Sequence, residues 1–293
     1  DTLMRFGLDT EFKRVGVDIR QGPGCPVCVT PPKEVEEVLA LARAGLTIAA
    51  FGDVMRVPGE KGSLNDAKAD GADVRIVFGI DDAVALARRS RKDVVFMGIG
   101  FETTAPTTAS ALLSDPPDNF TVISCHRTVP PALAAIAGMG EVRLQGMIQP
   151  GHVSAIIGTR PYEFLSKQYR IPQVVAGFEP LDLMMAVYML ARQVQGGRAE
   201  VENEYSRVVH PDGNPSAVKA MDDVFEPSDV LWRGFPVIPG SGLAIRRRFE
   251  THDARKRFED LLRPVQAKEY GEVEGCRCGG MLRGILTSEE CPL

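Results

Sequence analysis

The sequence predicts an α/β protein of two similar halves followed by a smaller C-terminal unit. Three observations predict it. Short Val-, Ile- and Phe-rich segments alternate with helical patterns, the order expected of parallel sheets with crossover helices. Val94-Val-Phe-Met-Gly-Ile-Gly-Phe-Glu102 and Gln173-Val-Val-Ala-Gly-Phe-Glu179 each carry an apolar strand into Gly-Phe-Glu, an internal echo. Past Pro227 the periodicity weakens into Gly234-Phe-Pro and Pro239-Gly-Ser-Gly.

Strands are expected at residues 47–52, 74–79, 94–98, 121–125, 146–149 and 173–176. The first clear helix follows Thr30, a capping residue, with Pro31 and Pro32 in its first turn, then Glu34, Glu36 and Glu37. Val35, Val38, Leu39 and Ala42 fall on one face, so cap, acids and period agree. Further helices are expected over 81–89, after Thr104, over 181–195 before Gly196-Gly197, and, rich in charge, over 251–262. The loop around Asp115-Pro-Pro-Asp-Asn separates the halves, giving domains at 1–114, 115–227 and 228–293.

Composition narrows the function classes. The 34 Lys and Arg against 39 Asp and Glu leave a net charge of −5 without a basic stripe, which argues against nucleic acid as partner. No run approaches the roughly 18 apolar residues of a membrane span, and the N-terminus lacks a signal-peptide pattern, so a cytoplasmic protein without membrane contact is expected. Six cysteines are too few for a secreted disulfide scaffold of 293 residues. Their placement therefore matters more than their number.

Cys25 and Cys28 form a C-x-x-C in Gln21-Gly-Pro-Gly-Cys-Pro-Val-Cys28. Two thiols at this spacing close a disulfide or clasp a metal, and a position just before a helix N-terminus stabilises the thiolate. Gly22 and Gly24 let the loop fold tightly while Pro23 and Pro26 stiffen it. A buried structural pair is the alternative, although packing alone does not call for alternating glycine and proline. Phe51-Gly-Asp-Val-Met-Arg-Val-Pro-Gly59 and Gly100-Phe-Glu-Thr-Thr-Ala-Pro106 place Asp53 and Glu102 directly after strands, beside Arg56, Thr103 and Thr104. Ligands of open α/β sheets sit at such strand ends, and helix capping explains the same residues equally well. Neither loop is a dinucleotide fingerprint. His152, in Gln149-Pro-Gly-His-Val-Ser154, is a candidate ligand or proton donor after a Pro-Gly turn.

Ser124-Cys125-His126 mimics a nucleophile and base, but neighbours on a strand point to opposite faces, so Cys125 reads as a core thiol. His210 and His252 carry no signal. The basic runs 246–248 and 255–257 read as a solvated strand end and helix face, with an acidic partner as the alternative. Cys276, Cys278 and Cys291 crowd a Gly-rich tail whose spacing is not that of a zinc ribbon. Thiolates followed by proline surround iron–sulfur clusters, which take four sulfur ligands. With three here, the fourth lies beyond Leu293, or is Cys125 or a C-x-x-C thiol, or the site is not a cluster.

Taken together, Gly22-Pro-Gly-Cys-Pro-Val-Cys28, Phe51 to Gly59, Gly100-Phe-Glu-Thr-Thr104, Pro150-Gly-His-Val-Ser154 and the terminal Cys-Arg-Cys-Gly closely resemble, in order, the HypD family of hydrogenase maturation factors. The resemblance implies two Rossmann-like halves and a third region with a 4Fe–4S cluster. It implies an assembly scaffold with redox activity rather than a conventional turnover enzyme. With the chaperone HypC it would build the iron that carries two cyanides and one CO in nickel–iron hydrogenases, HypE donating the cyanide. Cys25 and Cys28 would be the redox thiol pair, an electron reaching them from the cluster, and Cys276, Cys278 and Cys291 the cluster and metal ligands. Asp53, Arg56, Glu102, Thr103, Thr104 and His152 would receive cyanide or the modified tail of HypE. The family's N-terminal Cys-Gly-x-His-x-His motif and its cysteines beyond Cys291-Pro-Leu have no counterpart, so a piece of a longer chain is expected, unable alone to complete cluster or iron site. Rival readings are a general thiol–disulfide oxidoreductase, a nucleotide-binding regulator and a structural zinc protein.

Overall fold

The computed structural model describes residues 2–140, 144–271, 275, 277–287 and 290. The chain forms two compact units, each discontinuous in sequence. One takes Asp1–Gly24, Val129–Val218 and Arg277–Pro292, the other Cys25–Thr128 and Lys219–Cys276.

The second unit is built on a parallel sheet of four strands, β1 (Thr47–Ala50), β2 (Val74–Ile76), β3 (Val94–Gly100) and β4 (Phe120–His126), in the order β2-β1-β3-β4. β3 and β4 are buried at every position, the continuous apolar run that a parallel strand covered on both faces requires. β2 lies at the edge and exposes Arg75 and Ile76. β4, which a boundary at residue 115 assigns to the second half, pairs with β3 from Phe120 opposite Val94 to His126 opposite Gly100.

Helices that serve this sheet include α1 (Pro26–Val29), α2 (Pro32–Arg43), α3 (Ile80–Arg89) and α4 (Ala105–Leu113). Val35, Val38, Leu39 and Ala42 of α2 enter a core with Ile48, Val54, Val95 and Met97, as their spacing predicts. Thr30 does not cap α2. It ends α1, donating its hydroxyl to Pro26 O at 2.8 Å, and Pro31 takes the cap position of α2. Two prolines leave the start of α2 fewer amides to satisfy, so the side-chain cap is dispensable.

The other unit carries a smaller parallel sheet, β5 (Met147–Pro150), β6 (Gln173–Ala176) and β7 (Val201–Asn203) in that order. Its helices include α5 (Gly151–Ile157) directly after β5 and α6 (Pro180–Gln195) after β6. Ala186, Met189 and Leu190 of α6 cover Val174 and Ala176. The Gly-Phe-Glu echo therefore marks corresponding strand ends: Gly100 closes β3 and Gly177 follows β6. β7 is three residues long and half-buried, too short for an alternation to register in the sequence.

Where periodicity fades, the chain forms an antiparallel pair, β8 (Phe225–Leu231) and β9 (Val237–Ile245). Pro227 within β8 hides it, because proline is confined to edge strands. β9 runs beside β4: Ser124 donates its hydroxyl to Leu243 O at 2.6 Å and Thr128 its N–H to Ser241 O at 2.9 Å. The helix expected over 251–262 is broken. Asp253 accepts the Arg255 N–H at 2.9 Å and starts a new turn, the backbone leaves helical geometry at Phe258, and α7 (Glu259–Gln266) follows. No helix among the described residues is long and apolar enough to cross a membrane.

Candidate functional site

Cys25 and Cys28 are joined as a disulfide with Cα atoms 5.3 Å apart, on and just before the four-residue helix α1. Cys25 is its N-cap, and its sulfur accepts the Cys28 N–H at 3.2 Å. Gly24 turns its N–H back to Gly22 O at 2.8 Å, the tight loop that the glycines predict. Cys25 is half-buried and Cys28 exposed, so the pair is not the buried structural one. The far end of α1 is pinned where Val29 O accepts the Arg233 N–H at 2.8 Å.

Neighbouring Trp232 is fully buried and stacks on Phe101 of the β3 loop, with ring centres 5.9 Å apart. The loop after β8 thus touches both the dithiol helix and Gly100-Phe-Glu-Thr-Thr. In that loop Gly100 sits at φ 147°, where a Cβ would meet Thr104 Oγ1, so glycine is required. Thr104 begins α4 without capping it, its hydroxyl turning instead to Ile99 O at 3.3 Å and Phe101 O at 3.4 Å. Glu102 is buried, Thr103 exposed.

Asp53 and Arg56 are both exposed after β1, anchored by buried Val54 and Met55 between them. Asp53 makes no capping bond, so capping does not explain it. His152 belongs to the other unit. It is exposed on α5, its ring 4.2 Å from that of Phe178 in the loop after β6. There Asp182 is bonded to Arg207 at 2.8 Å, and Gly177 donates its N–H to Glu204 at 3.4 Å. Burial, with Asp182 close by, holds the Glu204 carboxyl above the usual range.

Cys276 and Cys291 lie outside the described residues, as does the side chain of Cys278. Among the described residues no group of three or more His, Cys, Asp or Glu is placed to hold a metal ion.

Sequence reasoning missed a buried ionic cluster beneath the dithiol helix. Glu34 and Glu37, expected as acids following the first-turn prolines, are buried on α2. Arg127, 1% exposed, donates to Glu34 at 2.8 Å, to Cys125 O at 2.9 Å and to Leu231 O at 3.0 Å. Arg255 binds Glu37 at 2.9 Å and Ser124 O at 2.6 Å, so of the basic run 255–257 this residue is not a solvated helix face. Cys125 is the free buried thiol expected, and burial, then the Glu34 charge, pushes its pKa far up. The available signal was the acids at the head of α2 set against Arg127 directly after β4 and the basic run 255–257.

On the opposite face of β4, Ser124 and His126 do meet, at 3.3 Å, because residues two apart share a side. They form no catalytic dyad: the Ser124 hydroxyl is donated to Leu243 O, and burial, then the Arg127 charge, lowers His126 from 6.5 to about 3. Unfolded chain therefore gains a proton below about 6.5 that the folded chain refuses. Stability should fall as pH drops from about 6.5 towards about 3, by up to about 1.4 kcal/mol per unit. Urea melts of the parent and His126→Gln across that window check this; equal slopes would refute it.

A model of the HypD family, described as the hydrogenase formation hypA family, matches residues 1–293. The chain belongs to the HypD family of hydrogenase maturation factors. It is 44% identical over 296 residues to the hydrogenase maturation factor HypD of Rhodobacter capsulatus, covering 99% of this chain and 78% of that one. Identity to the Cupriavidus necator HypD is 45% over 305 residues, covering 99% and 79%. The Escherichia coli HypD is 40% identical over 297 residues, covering 99% and 78%. The family match thus spans the whole chain.

Proposed function

We propose that this HypD-family chain is an iron–sulfur scaffold that, with HypC, assembles the iron carrying two cyanides and one CO for nickel–iron hydrogenase, in the cytoplasm. The observation that carries the reading is the Cys25–Cys28 disulfide at the head of α1, in a chain of a hydrogenase maturation family. Two Rossmann-like halves and a C-terminal cluster region accompany the proposal. Asp53, Arg56, Glu102, Thr103, Thr104 and His152 are assigned to the cyanide or the modified tail of HypE.

The donor set supports a cluster in kind: Cys276, Cys278 and Cys291 are three soft thiolates where a cubane takes four. A 4Fe–4S cluster held there would supply one-electron chemistry. The residues of the dithiol act on their own terms. An external thiolate attacks the exposed Cys28 sulfur, the S–S bond breaks, and Cys25 leaves as a thiolate already facing the Cys28 N–H. A second external thiol releases Cys28, so two electrons and two protons are taken up and the donor closes to its disulfide. Cys25→Ser should therefore accumulate a mixed disulfide on Cys28 when treated with oxidised glutathione, and Cys28→Ser should accumulate less on half-buried Cys25. Mass spectrometry of the adducts checks the order; equal labelling would overturn it.

A general thiol–disulfide oxidoreductase shares the dithiol but not the iron. Anaerobic isolation of the full-length protein together with HypC, followed by iron and sulfide analysis and infrared spectroscopy, separates the two. Bound iron with cyanide and CO stretches is expected; a metal-free complex would favour the oxidoreductase.

A further inference from the structure

We infer that Arg127 is the positioning residue of the Cys25–Cys28 couple: its buried guanidinium ties the head of α2 to the end of β8 and so holds the two cysteines at bonding distance. The inference rests on the redox reading of the dithiol.

α1 is held from its two ends. Four residues long, it makes almost no stability of its own, so its geometry is imposed from its ends. At its C-terminal end Thr30 and Pro31 lead directly into α2, and the Glu34 N–H returns to Pro31 O at 3.1 Å. Glu34 is thus rigidly linked to the dithiol. Its carboxylate accepts from Arg127 Nη2 at 2.8 Å, and the same nitrogen donates to Leu231 O at 3.0 Å. Two residues beyond Leu231, the Arg233 N–H clasps Val29 O, the last carbonyl of α1. Both restraints on α1 therefore meet at the Arg127 guanidinium, with Glu34 also accepting a longer bond from Arg255 Nη2 at 3.5 Å. Arg127 Nη1 fixes that guanidinium to Cys125 O at 2.9 Å, and its own N–H donates to Gly100 O at 2.9 Å.

A buried arginine spanning three acceptors cannot be copied by lysine, which offers a compact charge in place of a planar fork. Arg127 also carries almost no exposed surface on which to serve a ligand directly. What it does control is the effective concentration of one thiol at the other. A loosened α1 leaves the dithiol state nearly unchanged and makes ring closure less favourable, so the disulfide becomes easier to reduce.

The experiment is a redox titration of the full chain against dithiothreitol, with alkylation and mass spectrometry reading Cys25 and Cys28. In Arg127→Lys, and in the double variant Arg127→Met with Glu34→Met, the disulfide should be about tenfold less stable, a rise of about 30 mV for two electrons. The double variant replaces both charges with apolar groups of similar length, a change that buried ion pairs often tolerate. Circular dichroism confirms that each variant is folded. Unshifted titrations in folded variants overturn the role of Arg127, whereas a parent chain that never titrates as a two-electron couple overturns the redox reading itself. Hydrogen exchange on the parent decides the matter without any variant: reduction should speed exchange at the amides of Arg233 and Arg127 and spare those within β3. Unchanged exchange at both amides overturns the inference.

Discussion

Cys28→Ala, made in the full-length protein, should reduce hydrogenase maturation to background when it replaces the unsubstituted full-length protein in a host lacking its own HypD-family factor. The alanine is small and Cys28 exposed, so the substitution removes little packing. What it removes is the second sulfur. A lone Cys25 thiol can exchange with an external disulfide but cannot release it by closing an intramolecular bond, so two-electron cycling stops at a mixed disulfide. Cys125→Ala is the matched control. That thiol is buried, and its pKa is pushed up by burial, so it has neither the access nor the thiolate needed for exchange. Its loss should cost stability on the order of 1 kcal/mol and leave maturation intact. Hydrogenase activity per cell, with the level of each variant measured by immunoblot, gives the comparison. Undiminished maturation by Cys28→Ala would remove the redox role.

The reactive parts of this chain were legible wherever a short motif fixes its own local geometry. Gly-Pro-Gly-Cys-Pro-Val-Cys is such a case, because the cap at Cys25 and the spacing of the sulfurs are set within one turn. So were the central strands, since a strand buried on both faces writes a continuous apolar run, as in Val94-Val-Phe-Met. The partners of those motifs were not legible. Arg127 and Glu34 are separated by 93 positions, and neither differs in sequence from a surface charge. β8 was hidden because Pro227 and Asp229 break the alternation that identifies a half-buried strand. Glu102 and Glu179 stand in the same echo yet differ in outcome, one buried after β3 and the other exposed at the cap of α6. A repeat predicts backbone placement; what each side chain meets depends on the rest of the unit.

Trp232→Ala should be the most destabilising single change in the unit that holds the dithiol, costing about 3–5 kcal/mol. Trp232 is the largest fully buried side chain, and three separate losses follow from its removal. The volume it fills against Phe101 and Phe235 becomes a cavity between the β3 loop and the hairpin. The stacked ring contact at 5.9 Å disappears. The Ser241 hydroxyl, which accepts the indole N–H at 2.8 Å and donates to Ile238 O, loses one of its buried partners. Trp232→Phe separates these effects: it restores most of the volume and the stacking but not the hydrogen bond, so it should recover more than half of the loss. Denaturant melts followed by circular dichroism give both values. Because the next residue, Arg233, anchors the end of α1, the alanine variant should also yield a more reducible Cys25–Cys28 disulfide at denaturant concentrations where it is still folded. A loss below about 1 kcal/mol would mean that the hairpin and the Gly100–Thr104 loop are held together by other contacts, and that Trp232 only fills space between them.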